Sequence, residues 1–279
     1  LGRRYRDMPN IVWITGGDRE PIDFEEVWRS LARGLREGDG GRHLISYHPC
    51  GWHSSTYYFN DDEWLDFNMI ETWSAWPQIH AAVSADYAML PTRPVVLGEP
   101  AYENGPEYPL GPITPLVVRR QAWWAVLAGG FFTYGQDRMW RMGPGWTGTF
   151  DTPGAKHMGV MKQIITSRPW WRMIPDQGLF SSGIGSERTL NAAMRTTDRT
   201  CAVLYLASQC HVIVQLDRIA TRRVKATWIS PTSGKSIEAG VHETGNAKLG
   251  TTFPGYNVTR HFSVPDHWED AVLVLDGVE

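Results

Sequence analysis

Before residue 170 the sequence repeats one unit five times: a short apolar strand, then an amphipathic helical stretch. NIVWI (10–14), HLISY (43–47), DFNMI (66–70), PVVLG (94–98) and FFTYG (131–135) are the strand runs. The first helix is expected to open at Asp23 as an N-cap with Glu26 completing a capping box, and to bury Phe24, Val27, Leu31 and Leu35. Ile79, Val83, Tyr87 and Leu90 mark a second helix at helical spacing. Thr114-Pro115 reads as an N-cap with proline at the first helical position, and Gly129-Gly130 as the stop of that helix. Thr152-Pro153 opens the last helix, with Met158, Met161 and Ile165 inward. Strands that are apolar on both faces and alternate with helices pair in parallel, with the helices outside.

After Pro175 the pattern changes. CAVLYL, HVIVQL, VKATWI, YNVTRHFSV and AVLVLD are short strands separated by turn-rich segments such as Pro231 to Gly234, which predicts an antiparallel sandwich. The expected division is 1–175 and 176–279. CAVLYLASQCHVIVQL reads as one hairpin turning near Ala207 to Gln209, with Cys201 opposite residue 215 or 216 and so not facing Cys210. Three scattered Cys are not a disulfide framework.

Lys plus Arg is 27 against 30 for Asp plus Glu, with no local basic run, which argues against a nucleic acid partner. The longest apolar stretch, Ala122 to Phe132, is about half the length a membrane-spanning helix needs. No Gly-rich dinucleotide fingerprint, phosphate loop, HExxH or GxSxG motif occurs. His48, Cys50 and His53 cluster, but no matching carboxylate or Cys pair accompanies them, so no metal and no cofactor is expected.

What remains is carboxylates at strand ends. Asp18, Glu71, Glu99 and Asp137 each follow a strand, and parallel βα folds carry their chemistry at the carboxyl ends of strands, so all four are expected on one rim. Glycoside cleavage needs two carboxyl groups: one protonated to assist the leaving oxygen, the other ionised. Of 14 Trp, 12 precede residue 172, and flat side chains suit the apolar face of a sugar. His48, Trp52, Trp73, Tyr102, Tyr134 and Trp140 follow strand ends closely and are the candidate substrate contacts, with Glu71. Glu103 competes for any role given to Glu99, and position favours Glu99, which ends its strand directly.

NIVWITGGD, DFNMI, RPVVLGEPAYEN, FFTYGQDRMW and KHMGVMKQIITSRPWWRMIPDQ resemble the apiosidase-like glycoside hydrolases of family 140, and the second half resembles the small collagen-binding-like β-domain attached to them. The resemblance implies a (β/α)8 barrel followed by a β-sandwich, and removal of apiose or a related pentose from plant pectic side chains by a retaining mechanism. It places the acid/base at Asp18, after the fourth barrel strand, and the nucleophile at Glu99, after the seventh, with Glu103 as the alternative. Retention calls for carboxyl groups roughly 5–5.5 Å apart, inversion for about 6.5–9.5 Å. After DFNMI the family continues Gln-Ser-Gly-His, whereas this chain has Glu71-Thr72-Trp73-Ser74.

On this reading the chain holds about strands 4 to 8 of the barrel and is a fragment of a longer enzyme. Both edges of the strand array are then expected to be open, and the isolated chain to aggregate or be inactive. Its partner is a carbohydrate. An exported protein is expected because polymer substrates lie outside the cell, with the leader not present in this sequence. The alternative is a non-catalytic carbohydrate-binding or surface-adhesion protein. Asn257-Val258-Thr259 is a glycosylation sequon that matters only in a eukaryotic secretory host.

Overall fold

A computed structural model describes residues 1–73, 75–106, 113–245 and 258–278. All five strand runs of the first part form strands: Trp13–Gly16, Ile45–His48, Asn68–Trp73, Val95–Pro100 and Phe131–Phe132. The first two pair in parallel, as do the last three in succession. Between the two groups the ladder gives way to one backbone bond and two bonds through side chains. Asp66 N–H donates to Ile45 O at 2.9 Å, Asp66 Oδ2 accepts from Ile45 N–H at 2.7 Å, and Ser46 Oγ donates to Phe67 O at 2.7 Å. The array is part of a barrel wall. Gly98 leaves room inside it for the Met69 side chain of the adjacent strand, since a Cβ there would lie 2.1 Å from Met69 Cε and would make that side chain shift.

Helix Pro115–Leu127 starts as its sequence predicts, with Thr114 accepting from the Val117 N–H. Its Trp123 and Trp124 are fully buried. Helix Glu25–Asp39 departs from expectation in two ways. Asp23 lies at φ +67°, outside the extended region an N-cap needs, and the actual cap, Phe24, makes no side-chain bond. The helix buries Leu35 but leaves Phe24 63% and Val27 58% exposed, with Leu31 also exposed. Among the described residues Trp13–Gly16 pairs only with Ile45–His48, and Phe131–Phe132 only with Val95–Pro100.

The second part is an antiparallel sandwich of a six-stranded and a three-stranded sheet. Four of its strands, Met173–Pro175, Phe180–Ser182, Ala192–Thr196 and Ser236–Glu243, are too short or too polar to stand out in the sequence. The expected hairpin is not formed. Cys201–Leu206 pairs with Ala192–Thr196 and Ala271–Val278, whereas His211–Gln215 pairs with Thr259–Ser263 and Phe180–Ser182 in the other sheet. Cys201 therefore lies opposite Asp276 rather than residue 215 or 216. The reason is burial. Every residue of Cys201–Leu206 is buried: Val203 and Tyr205 face the helices of the first part, while Ala202, Leu204 and Leu206 face the second sheet. A strand covered on both faces belongs at the centre of a sheet. All three Cys are free thiols.

Polar contacts join the two parts. Arg119 grips Asp270 with two bonds of 3.0 and 2.8 Å, Tyr205 OH donates to Asp270 Oδ2 at 2.7 Å, and Trp124 Nε1 donates to Leu190 O at 2.8 Å. No described helix is long and apolar enough to cross a membrane. Ser74, the first residue of the sequon and the start of YNVTRHFSV lie outside the described residues.

Candidate active site

The Gly-Gly-Asp loop after Trp13–Gly16 turns on left-handed backbone. Gly16 has φ +81°, and a Cβ there would lie 2.4 Å from His48 O. This close approach sets Asp18 beside His48, the last residue of the neighbouring strand, with its side chain 75% exposed. His48 Nε2 lies 2.9 Å from Glu99 Oε2, and Nδ1 lies 2.9 Å from Pro49 O. Both ring nitrogens face oxygens that accept, an arrangement that favours the doubly protonated ring. Burial lowers the His48 pKa, but the bonds to Glu99 and Pro49 outweigh it and the net shift is upward.

Glu99 sits near the end of strand Val95–Pro100 and accepts a second bond, 2.5 Å, from Tyr102 OH. Burial would raise its pKa, yet the His48 and Tyr102 bonds prevail and hold it below the usual carboxylate value. Gly135 keeps Tyr102 in place, since a Cβ would collide with its ring, and Trp73 packs edge-on against that ring at 5.0 Å.

Glu71 is the Cα partner of Glu99 across the parallel ladder. Its side chain is only 8% exposed, and Oε2, 3.8 Å from His48 Nδ1, has no hydrogen-bond partner among the described residues. Burial first, and the Glu99 charge second, push its pKa up to about 7. One polar atom from each of Asp18, His48, Glu71 and Glu99 lies within 4.8 Å of the others. Two neighbouring carboxyl groups of opposite pKa direction make an acid and an anion available together.

The other candidates sit apart from this cluster. Asp137 accepts from Arg141 and Trp140, and Trp140 stacks beneath the Arg141 guanidinium at 4.5 Å. Trp52 is exposed, with its N–H donating to Glu71 O at 2.7 Å. Tyr134 OH donates to Glu103, not to the cluster. Glu103 itself is buried and fully engaged. Oε2 accepts from Tyr134 OH and from Thr152 Oγ1 (2.8 Å), and Oε1 accepts from Gly154 N–H (3.0 Å) at the start of helix Pro153–Thr166. Glu103 is an anchor for that helix. Glu103→Gln turns an amide N–H2 toward one of these donors and is expected to cost about 1–3 kcal/mol, read as a lowered midpoint in thermal unfolding.

The His48, Cys50 and His53 grouping divides. His48 joins Glu99, whereas Cys50 Sγ and His53 Nδ1 meet at 2.6 Å beside Tyr58 OH and Glu20, two residues the sequence did not bring forward. Glu20, Cys50 and His53 each place one candidate ligand atom within 4.8 Å of the others.

Carboxylates and aromatics gathered where parallel strands end, with a β-sandwich behind, define the class: the partial (β/α)8 barrel of a glycoside hydrolase with an appended β-domain. The chain belongs to the apiosidase-like family, whose catalytic domain matches residues 1–172. Residues 174–276 match the family described as "Putative collagen-binding domain of a collagenase". A glycoside hydrolase family 5 structure from Bacteroides vulgatus superposes with a TM-score of 0.86 at 28% identity, covering 99% of this chain and 64% of that one. A second glycoside hydrolase structure does so with a TM-score of 0.86 at 26% identity, covering 99% and 67%. The chain thus spans less than two thirds of the first of these. No curated protein matches the sequence.

Proposed function

We propose that the first part is the catalytic region of a retaining glycosidase that removes apiose or a related pentose from plant pectic side chains, with Asp18 as acid/base and Glu99 as nucleophile. One observation carries the reading: Glu99 is held as an anion by His48 and Tyr102, with an Asp18 oxygen within 4.8 Å. An approach that close supports a retaining pair, whose carboxyl groups stand roughly 5–5.5 Å apart.

In the first step the Asp18 carboxyl gives its proton to the glycosidic oxygen while Glu99 bonds to the anomeric carbon and the leaving alcohol departs. In the second, Asp18 takes a proton from water, the hydroxide oxygen bonds to that carbon, and Glu99 leaves as a carboxylate. Trp73 lies against Tyr102 at the rim, and Trp52 and Trp140 offer exposed flat surfaces for sugar rings. An exported enzyme follows from a polymer substrate lying outside the cell.

The test, in the full-length protein, is hydrolysis of apiosides and arabinosides followed by proton NMR at early times. The first-formed sugar is expected to keep the anomeric configuration of the substrate, and Asp18→Ala to lower kcat about 10²–10⁴-fold. An inverted first product overturns the mechanism, and tight binding without turnover favours a carbohydrate-binding role.

A further inference from the structure

Glu71 is the third carboxyl in the cluster, and neither step above uses it. Its Oε2 is buried and receives no hydrogen bond, while Oε1 lies against Gly51, where a Cβ would be 3.2 Å away. The nearest cation, His48, attracts Glu71 from 3.8 Å but gives it no hydrogen bond, since it directs Nε2–H to Glu99 and Nδ1–H to Pro49 O. A carboxylate anion without donors, set beside a second carboxylate, is the costly form, and the neutral acid is the stable one.

We propose that Glu71 is a positioning residue that must keep its proton for His48 to remain paired with Glu99, and that losing this proton switches the site off. The inference rests on the assignment of Glu99 as nucleophile. While Glu71 is neutral, Glu99 is the carboxylate hydrogen-bonded to His48, at 2.9 Å, with Asp18 Oδ1 farther off at 3.7 Å from Nδ1. Once ionised, Glu71 presents a competing anion 3.8 Å from His48 Nδ1 and a repelling one beside Glu99. The ring then turns toward Glu71, or Glu99 takes up a proton. Either event removes the anion that attacks the sugar.

The titratable groups facing Glu71 are Glu99 and Tyr102 from the neighbouring strand and its loop, His48 and Cys50 from the segment before Gly51, and Asp18 from the Gly-Gly-Asp loop. Four of the five are acids. They oppose ionisation of Glu71 when charged, which agrees with a pKa near 7 rather than in the usual carboxylate range.

Two measurements test this. In Glu71→Gln the amide keeps the shape and has no proton to lose, so the fall in the alkaline limb of kcat/KM that loss of the Glu71 proton adds between about pH 6 and 8, beyond that from ionisation of the acid Asp18, is expected to disappear, with roughly tenfold more activity retained one pH unit above it. A limb that is unchanged or moves toward acid overturns the proposal. The second uses unaltered protein without substrate: carbon-13 NMR of labelled glutamate carboxyls is expected to show one group titrating between about pH 6 and 8. All glutamates titrating lower overturns the proposal even if the variant does not fold. That signal is independent of turnover, so failure of the glycosidase reading and failure of the Glu71 assignment are separable.

Discussion

Glu99→Ala is expected to lower kcat by at least about 10³-fold, and added azide to restore part of the activity as a glycosyl azide of inverted configuration. The removed side chain is the group that bonds to the sugar, and its space admits a small anion that attacks the anomeric carbon from the same side. The replacement also leaves His48 Nε2–H and Tyr102 OH without the acceptor they share. Some of the loss therefore reflects a relaxed His48 ring, and azide is not expected to recover it. Glu103→Gln supplies the contrast. It destabilises the fold, but folded enzyme should still turn over, because Glu103 bonds to Tyr134, Thr152 and Gly154 rather than to His48. Loss of activity in folded Glu103→Gln, with none in Glu99→Ala, would move the nucleophile to Glu103.

Arg119→Ala is expected to destabilise the protein by about 3–5 kcal/mol, measured by urea unfolding. Arg119 and Asp270 are both almost fully buried, and the guanidinium also lies 3.2 Å from His157 Nδ1. Burial first, and the Arg119 charge second, hold the His157 pKa down, which leaves its nitrogen free to accept. Removing the arginine strands the Asp270 charge, with Tyr205 OH as its remaining donor. The cost is that of an uncompensated buried anion, so Arg119→Met/Asp270→Asn should be less destabilised than Arg119→Ala alone. Equal stability of wild type and Arg119→Ala would mean that water reaches the pair.

The parts of the structure legible in the sequence are those set by local chemistry. Five strand runs and the Thr114-Pro115 helix start follow from side-chain type and spacing, and all are found. The misread parts depend on distant neighbours. Asp23 has the right residue type for a cap, but a turn with Phe24 N–H bonded to Pro21 O holds its backbone elsewhere. CAVLYL and HVIVQL looked like a hairpin because sequence alone does not reveal that the first is covered on both faces. Within the site, strand-end position found Asp18, Glu71 and Glu99, but not which carboxyl holds a proton. The pKa of Glu71 is raised by burial first and by its ladder partner, 28 residues on, second. Glu103 likewise shows its use only when Gly154, 51 residues away, meets it.

The central strand of the sandwich carries a further meaning. Val203 and Tyr205, with Val272 and Val274 of the adjacent strand, belong to the same apolar cluster as Trp123 and Trp124, and the Tyr205 ring stacks on Trp123 at 5.5 Å. The β-domain is therefore the floor on which the barrel helices rest. A unit of this kind does not travel between proteins as a free cassette. Grafted elsewhere, it would need either a new surface on that sheet or the helix that matches it.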